Sequence, residues 1–452
     1  MSNKKTDYDV IVVGAGPAGV VAAYMLGKNG INTLLVDKKP KEKIGDKVCG
    51  DALSQVITSE LERLTGIKPP YGEELNEVTE RLVLKGKRKK AVLDIPIKSQ
   101  TIDRHKYGQR LLREATAFKS VSLRDNVRVV DVVVDGDYVS GVVILNKNGE
   151  KEKFSSKIVI DTSGFTGIIR RRLPNGVCPK VLRQIPKKEM IVAYRDIIIT
   201  KEKHRFQKGL YLLYFDDLPM PGYYWAFSKG EKMLNIGLGY LLTKENVGKN
   251  IKEINQKVRD RLFSNYEIIT SGGHQIPARL PLPSLVGNGF MTAGDAGALA
   301  NPINGEGHGP ALLSGAHAGI VASNAIKKAD YSENALWSYN KWVWNVYGVE
   351  FALGVILIKF FEKYSYDDFD WMLAKGIIRE EDVVQVLNEP LNKSQILKRA
   401  LKGIYRPKLL LDLKKGMEIG DKIKEVSMKY PSSPEGFNKW YSELQKLEKA
   451  KI

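Results

Sequence analysis

The chain has 452 residues, with 71 lysines and arginines against 52 aspartates and glutamates, a formal charge of +19. This length exceeds a usual single domain and predicts two or three interleaved lobes around a large core. The basic balance favours polyanions such as anionic lipid headgroups or phosphorylated substrates; nucleic acid is not expected, because no nucleic-acid motif accompanies the charge. The start, Met-Ser-Asn-Lys-Lys-Thr-Asp-Tyr-Asp, has no apolar signal region and predicts a cytoplasmic protein, with a peripheral place at the inner face of a membrane left open.

Val10–Val13 is a continuous apolar run that breaks into Gly14, Gly16 and Gly19 and then into an apolar helix pattern beginning at Val20. A buried strand, a tight glycine turn and a helix start at this spacing bring backbone amides to a pyrophosphate. A second run, 32–36, ends in Asp37, where a carboxylate would accept hydrogen bonds from ribose hydroxyls. Next comes Lys47-Val-Cys49-Gly50-Asp51-Ala52, then a stretch at 81–95 that reads as a hairpin with a basic tip, Lys85 to Lys90. Asp103-Arg104 leads into a helix over 107–117, residues 127–145 read as a hairpin turning at Asp135-Gly136, and 158–161 is another strand ending in Asp161. Short β-rich runs at 188–200, 206–215, 222–228 and 232–242 suit an antiparallel sheet. A strand at 290–292 enters Gly294-Asp295, followed by Asn301-Pro-Ile-Asn-Gly305-Glu-Gly307-His308 and a small-residue helix, 311–325. Beyond Ser332 helical patterns dominate, including 333–347 and 380–387.

The apolar stretch 351–358, bracketed by Glu350 and Lys359, is shorter than the ~20 residues that span a bilayer, so no crossing is expected. It reads either as a buried core helix or, with Trp337, Trp342, Trp344 and Tyr347, as the wall of an apolar tunnel or a bilayer contact. Basic runs such as Arg170-Arg171-Arg172 read as solvated charge or as a membrane-facing surface. The two cysteines, Cys49 and Cys178, exclude a Cys₄ iron–sulfur cluster held by this chain, and the five histidines lack any zinc spacing, so no metal is expected. A Cys49–Cys178 disulfide stays open, although a reducing cytosol disfavours it.

The two glycine–acid elements, with Asp103-Arg104 and the strand ending at Asp161, resemble the p-hydroxybenzoate-hydroxylase branch of FAD proteins of the glutathione-reductase type. That resemblance implies FAD as cofactor, with Asp295 on its ribityl chain and the helix after Gly307 aimed at the flavin, favouring its anionic reduced form. It implies an α/β (α+β overall) fold: a discontinuous Rossmann FAD-binding domain over 1–57, 101–180 and 281–330, an interleaved antiparallel β-sheet substrate domain over 58–100 and 181–280, and a helical C-terminal region over 331–452. Cofactor contacts are expected at Gly14, Gly16, Ala18, Gly19, Asp37, Cys49, Gly50, Ala52, Arg104, Val129, Asp295, Gly305, Gly307 and His308.

The Cys49-Gly50 loop, with Tyr223-Tyr-Trp225-Ala-Phe227, resembles the geranylgeranyl reductase family of archaeal type, although Ser228 replaces that family's final proline and Pro219 or Pro221 lies off its usual spacing. The resemblance implies reduction of isolated C=C bonds in geranylgeranyl chains for membrane lipid synthesis, by flavin hydride transfer plus protonation. Tyr223, Trp225 and Phe227 alternate and so share one face of a strand, as a substrate wall or as ordinary sheet core. Cys49 is a close-packed small residue at the flavin or a proton donor or redox-responsive thiol; His308 supplies a backbone amide or, as a catalytic alternative, an acidic side chain. No second nucleotide-binding unit is evident, so electrons are expected from a ferredoxin-like protein or a briefly docked NAD(P)H, and a monomer is expected. Alternatives are a monooxygenase or halogenase, which would share the FAD motifs, a non-enzymatic prenyl-lipid escort protein, which would use the fold without flavin and have little reason to keep both glycine motifs and Asp295, and a sulfide- or quinone-directed electron-transfer flavoprotein, whose usual cysteine chemistry is missing.

Overall fold

A computed structural model describes residues 6–87, 91–204, 209–215, 221–382 and 406–452. The glycine-rich start forms β1 (Tyr8–Val13), α1 (Pro17–Lys28) and β2 (Thr33–Val36), the two strands parallel with Val10 opposite Thr33. β6 (Val121–Arg124) adds on one side, and β9 (Lys151–Asp161) and β16 (Phe290–Thr292) on the other, all parallel. These strands are buried on both faces, Val10, Val12 and Leu35 in one core cluster and Ile11, Val13, Leu34 and Val36 in another, which is why Val10–Val13 and Leu34–Val36 are apolar throughout. β15 (Val286–Gly287) closes the outer edge, and the predicted hairpin, β7 (Arg128–Asp135) and β8 (Tyr138–Leu145), joins β9 through β8.

α1 packs between α3 (Arg104–Thr116) and α5 (His308–Lys327). A Cβ on Gly315 would lie 2.2 Å from the Ala18 carbonyl oxygen and one on Gly319 2.8 Å from that of Ala22, so the small residues of α5 let two helix backbones touch. This contact aims the N-terminus of α5 toward the interior.

The second sheet comprises β3 (Ala52–Ser54), β4 (Leu75–Lys85), β5 (Val92–Ile102), β10 (Met190–Thr200), β11 (Leu210–Tyr214), β12 (Gly222–Ser228), β13 (Met233–Leu241) and β14 (Tyr266–Pro277). Their order is β14-β10-β13-β12-β11-β4-β5-β3. It departs from the expected antiparallel sheet in one place: β11 runs parallel to β4, with Leu210 opposite Arg81. No hairpin joins that pair; the chain leaves for the first sheet between them, which frees the direction of return. β3 also belongs here, so the second sheet begins immediately after Cys49-Gly50-Asp51, inside the segment read as cofactor lobe. β14, α2 (Gln55–Thr65) and α4 (Ile251–Leu262) had no counterpart in the sequence reading. α4 covers the outer face, its Val258 packed with Tyr224, Ile236 and Leu238. Residues 206–208 of one expected strand, the hairpin tip 88–90 and Pro219 lie outside the described residues.

Ser332 caps α6 (Glu333–Val343), which continues through a π turn, Trp344–Gly348, into α7 (Val349–Lys363). The short apolar stretch is thus one part of a 31-residue rod that is long and apolar enough to cross a membrane by length and composition only, and 56% of its most apolar window is buried within the protein. Trp337, Trp344 and Tyr347 lie in the main core, Trp337 tilted against Tyr430 and Trp344 stacked on Tyr430 and edge-on to Trp440 of the C-terminal segment, so these rings pack as core. Trp342 stacks on His317 with centroids 3.7 Å apart. α8 (Tyr366–Ala374), α9 (Pro407–Met428) and α10 (Phe437–Lys449) complete the C-terminal region. Of the helix expected at 380–387, residues 383–387 lie outside the described residues.

Candidate functional site

The glycines divide the work at the cofactor end. Gly14 turns the chain at φ +102°, and a Cβ on Gly19 would fall 1.8 Å from the Gly14 carbonyl oxygen. Gly16 differs: a Cβ there would meet nothing within 4 Å, so the backbone borders open space at the start of α1. A small cavity at this point is lined by Ala15–Pro17, Gly45, Arg104, Gly108 and His308. Arg104 is 9% exposed and has no carboxylate partner among the described residues, a buried cation that an anion would neutralise. Asp37 accepts from the Ala15 amide at 2.7 Å and from the Lys39 amide at 2.8 Å, with lone pairs remaining for further donors.

Asp295 stands at the other end, 7% exposed and paired with Lys47 at 2.8 Å. Burial pushes this carboxyl up, but Lys47 beside it outweighs burial and holds it below its ordinary range. A Cβ on Gly307 would lie 2.8 Å from Asp295 Oδ1, so only glycine keeps that carboxylate edge open. Open glycine backbone, an uncompensated buried arginine and a buried acid suit the pyrophosphate and ribityl parts of FAD. Of the other residues expected at the cofactor, Cys49, Gly50, Ala52, Arg104, Gly305, Gly307 and His308 line the large cavity described below. Ala18 instead lies in the α1–α5 contact, and Val129 lies on β7 against the second core cluster, away from both cavities. Arg170, expected as surface charge, is 1% exposed and donates to the carbonyls of Ala296 and Arg183, clamping the Asp295 turn from behind.

From Asp295 a cavity of about 890 Å³ continues beneath the second sheet. Tyr223, Trp225 and Phe227 face it together, successive ring centroids lying 6.2 and 6.1 Å apart. The same alternation on the neighbouring strand brings Tyr211, Leu213 and Phe215 to the cavity, a pattern visible in the sequence but not used there. Phe361 and Tyr366 reach it from α7 and α8, and His274 from β14.

The Cys49 loop is pinned to this aromatic wall. Asp51 takes the left-handed conformation, φ 63°, at a cost on the order of 1 kcal/mol, and its carboxylate receives Lys229 Nζ at 2.8 Å in a pair 8% exposed on both sides. Asn235 donates to the Cys49 carbonyl at 2.8 Å and to Asp51 at 3.1 Å, while its own oxygen accepts from Trp225 Nε1 at 2.9 Å. Trp225 is thus both cavity wall and an anchor for the loop. Sequence reading missed Asn235 and Lys229 because neither carries a local signature.

Burial, with Arg104 and Lys47 nearby, pushes His308 well below its ordinary value. That direction disfavours the imidazolium, while the backbone amide of His308 opens the first turn of α5. Cys49 and Cys178 are both free thiols; Cys178 packs against Gly287, and burial pushes its thiol up to about 12.

Residues 7–215 match an FAD binding domain family. The chain is 32% identical to the digeranylgeranylglycerophospholipid reductase of Sulfolobus acidocaldarius, covering 98% of each. It is 29% identical to a protein of that name from Methanocaldococcus jannaschii, over 80% of this chain and 89% of the other. A solved geranylgeranyl bacteriochlorophyll reductase-like protein from Thermoplasma acidophilum superposes with TM-score 0.76 at 23% identity, over 90% of this chain and 99% of that one. A flavin-dependent brominase shares the fold, with TM-score 0.65 at 20% identity over 89% and 100%. The likeness to the Sulfolobus acidocaldarius enzyme spans nearly the whole length of both chains, and the chain therefore belongs to the digeranylgeranylglycerophospholipid reductase family of FAD-dependent oxidoreductases.

Proposed function

We propose that this protein saturates isolated C=C bonds in the geranylgeranyl chains of archaeal lipid precursors. One observation carries the reading: a single apolar cavity joins the FAD cradle at Asp295 and Gly307 to the wall formed by Tyr223, Trp225 and Phe227. Bound FAD, once reduced, supplies hydride to one alkene carbon. The chain supplies the rest. Aromatic faces hold the prenyl chain, exclude water and stabilise positive character developing on the second carbon. The Lys229–Asp51–Asn235 network holds the Cys49 loop against that wall, so alkene and cofactor are held in one orientation.

An electron donor is required; a ferredoxin-like protein or a transiently docked nicotinamide fits a chain that shows no second nucleotide-binding unit among the described residues. The +19 charge suits a monomer that visits anionic membrane surfaces from the cytoplasm, since cationic surfaces gain about 1 kcal/mol per basic residue near such a bilayer. The test is anaerobic: chemically reduced enzyme is mixed with a digeranylgeranyl lipid and the product is weighed by mass spectrometry. Gain of hydrogen pairs supports the reading; an untouched chain that changes only when oxygen is admitted would point to a monooxygenase.

A further inference from the structure

The reaction above, on which this inference rests, requires a proton as well as a hydride, and the cavity offers few donors. Burial pushes His308 down, which disfavours its imidazolium, and pushes the Tyr211 and Tyr223 hydroxyls above their ordinary range, which weakens them as acids. One carboxyl group has a different setting. We propose that Glu306 is the catalytic acid that protonates the alkene, because it lines the same cavity as the Asp295–Gly307 cradle and the aromatic wall, on the turn that enters α5.

The turn holds Glu306 firmly. Its amide donates to Asn304 Oδ1 at 2.9 Å and its carbonyl accepts from the Asn301 amide at 2.8 Å. The Tyr223 hydroxyl donates to the Asn304 carbonyl, tying the turn to the aromatic strand. The carboxyl itself accepts a single long bond, 3.3 Å, from the Gly309 amide, and no cation pairs with it among the described residues. A Cβ on Gly309 would fall 2.7 Å from Glu306 Oε1, so glycine there keeps the carboxyl in place.

The titratable groups that face it are Glu350 from α7, whose carboxylate accepts from Asn301 at 2.9 Å, and the hydroxyls of Tyr211 and Tyr347. None is cationic. Burial and then the Glu350 carboxylate push Glu306 up to about 7, so it retains a proton that an exposed glutamate would lose. That value suits general-acid work near neutrality.

Saturation breaks one C–C π bond and forms two C–H bonds. The hydride comes from the reduced flavin, which gives up two electrons; the proton comes from the Glu306 O–H bond, leaving a carboxylate that water reprotonates. Glu350 is a positioning residue whose charge sets how tightly Glu306 keeps its proton.

The test uses oxidised holoenzyme and infrared titration of the protonated-carboxyl band from pH 5 to 9, followed by single turnover of pre-reduced enzyme with a digeranylgeranyl lipid. Wild type should lose a carboxyl band through about pH 7. Glu306→Gln should lack that band and saturate the lipid roughly 10²–10⁴-fold more slowly with flavin content retained. Glu350→Gln should move both the band and the pH dependence of single turnover to lower pH, a shift that a merely structural role would not produce. A wild-type band that persists in Glu306→Gln, or saturation at the wild-type rate in that variant, overturns the assignment. A wild-type enzyme that shows the band yet leaves the lipid unsaturated overturns the functional reading itself, and proton delivery with it.

Discussion

The two ends of the cavity are built from different materials. At the cofactor end the working surface is backbone: Gly14, Gly16 and Gly19, the amides opening α1 and α5, and a few charges, Arg104, Asp295 and Lys47, with no aromatic side chain on either glycine turn. At the roof the working surface is side chain: Tyr211, Phe215, Tyr223, Trp225 and Phe227 project from strands whose opposite face packs on α4. The cofactor end is therefore intolerant of added atoms, and the roof is sensitive to removed ones.

That contrast predicts a ranked set of outcomes. Gly19→Ala should do most damage, since its Cβ would overlap the Gly14 carbonyl; a loss of about 3 kcal/mol or more, with no retained flavin, is expected from absorbance and a melting curve. A yellow, wild-type-stable Gly19→Ala protein would break the comparison. Asp295→Ala removes charged hydrogen bonds worth about 1.5–3 kcal/mol, so titration of apoprotein with FAD should show affinity falling roughly ten- to a hundredfold while the fold persists. Full occupancy in that variant would place the ribityl site elsewhere.

At the roof, Trp225→Ala should keep FAD and lower turnover of a geranylgeranyl lipid roughly tenfold or more. It also leaves Asn235 Oδ1 without its donor, so a stability cost of about 1–3 kcal/mol accompanies the kinetic loss. Trp225→Phe separates the two effects, keeping most of the wall and losing only the N–H. Loss of 3–5 kcal/mol with loss of flavin in Trp225→Ala would mark the ring as core instead.

The smallest effect concerns pH. Burial pushes His317, on α5 outside the cavity, down to about 4. The unfolded chain takes up that proton near 6.5 and the folded chain only near 4, so stability is intact above about 6.5 and falls as pH drops toward 4. His317→Gln should flatten the dependence of melting temperature on pH in that window; an unchanged slope would show that the imidazole is not held neutral.

Much of the cofactor end was legible because its residues are local. Gly14 to Gly19 and Gly294 to Gly307 each place turn, amide and acid within a few positions, and burial on both faces makes their strands read as unbroken apolar runs. The alternation of Tyr223, Trp225 and Phe227 was equally readable, since a strand's period is two. What escaped is what depends on contacts far apart in sequence. Arg170 looked like surface charge until Ala296 and Arg183 supplied its acceptors. The parallel β4–β11 pair was hidden because no hairpin announces it.

By itself, then, the sequence determined the FAD-binding unit and the aromatic strand, because local backbone geometry and side-chain period are properties of short segments. Tertiary structure alone decided where Trp337 and Trp344 go, since an apolar helix face suits a core or a tunnel equally until a partner is chosen, and Tyr430, with Trp440 against Trp344, is that partner. It also decided that Glu306, one acid among 52 acidic residues, lines a largely apolar cavity beside Glu350 with no cation paired to it among the described residues. Burial and long-range charge, which no short segment encodes, make the difference between a solvated carboxylate and a proton-bearing acid.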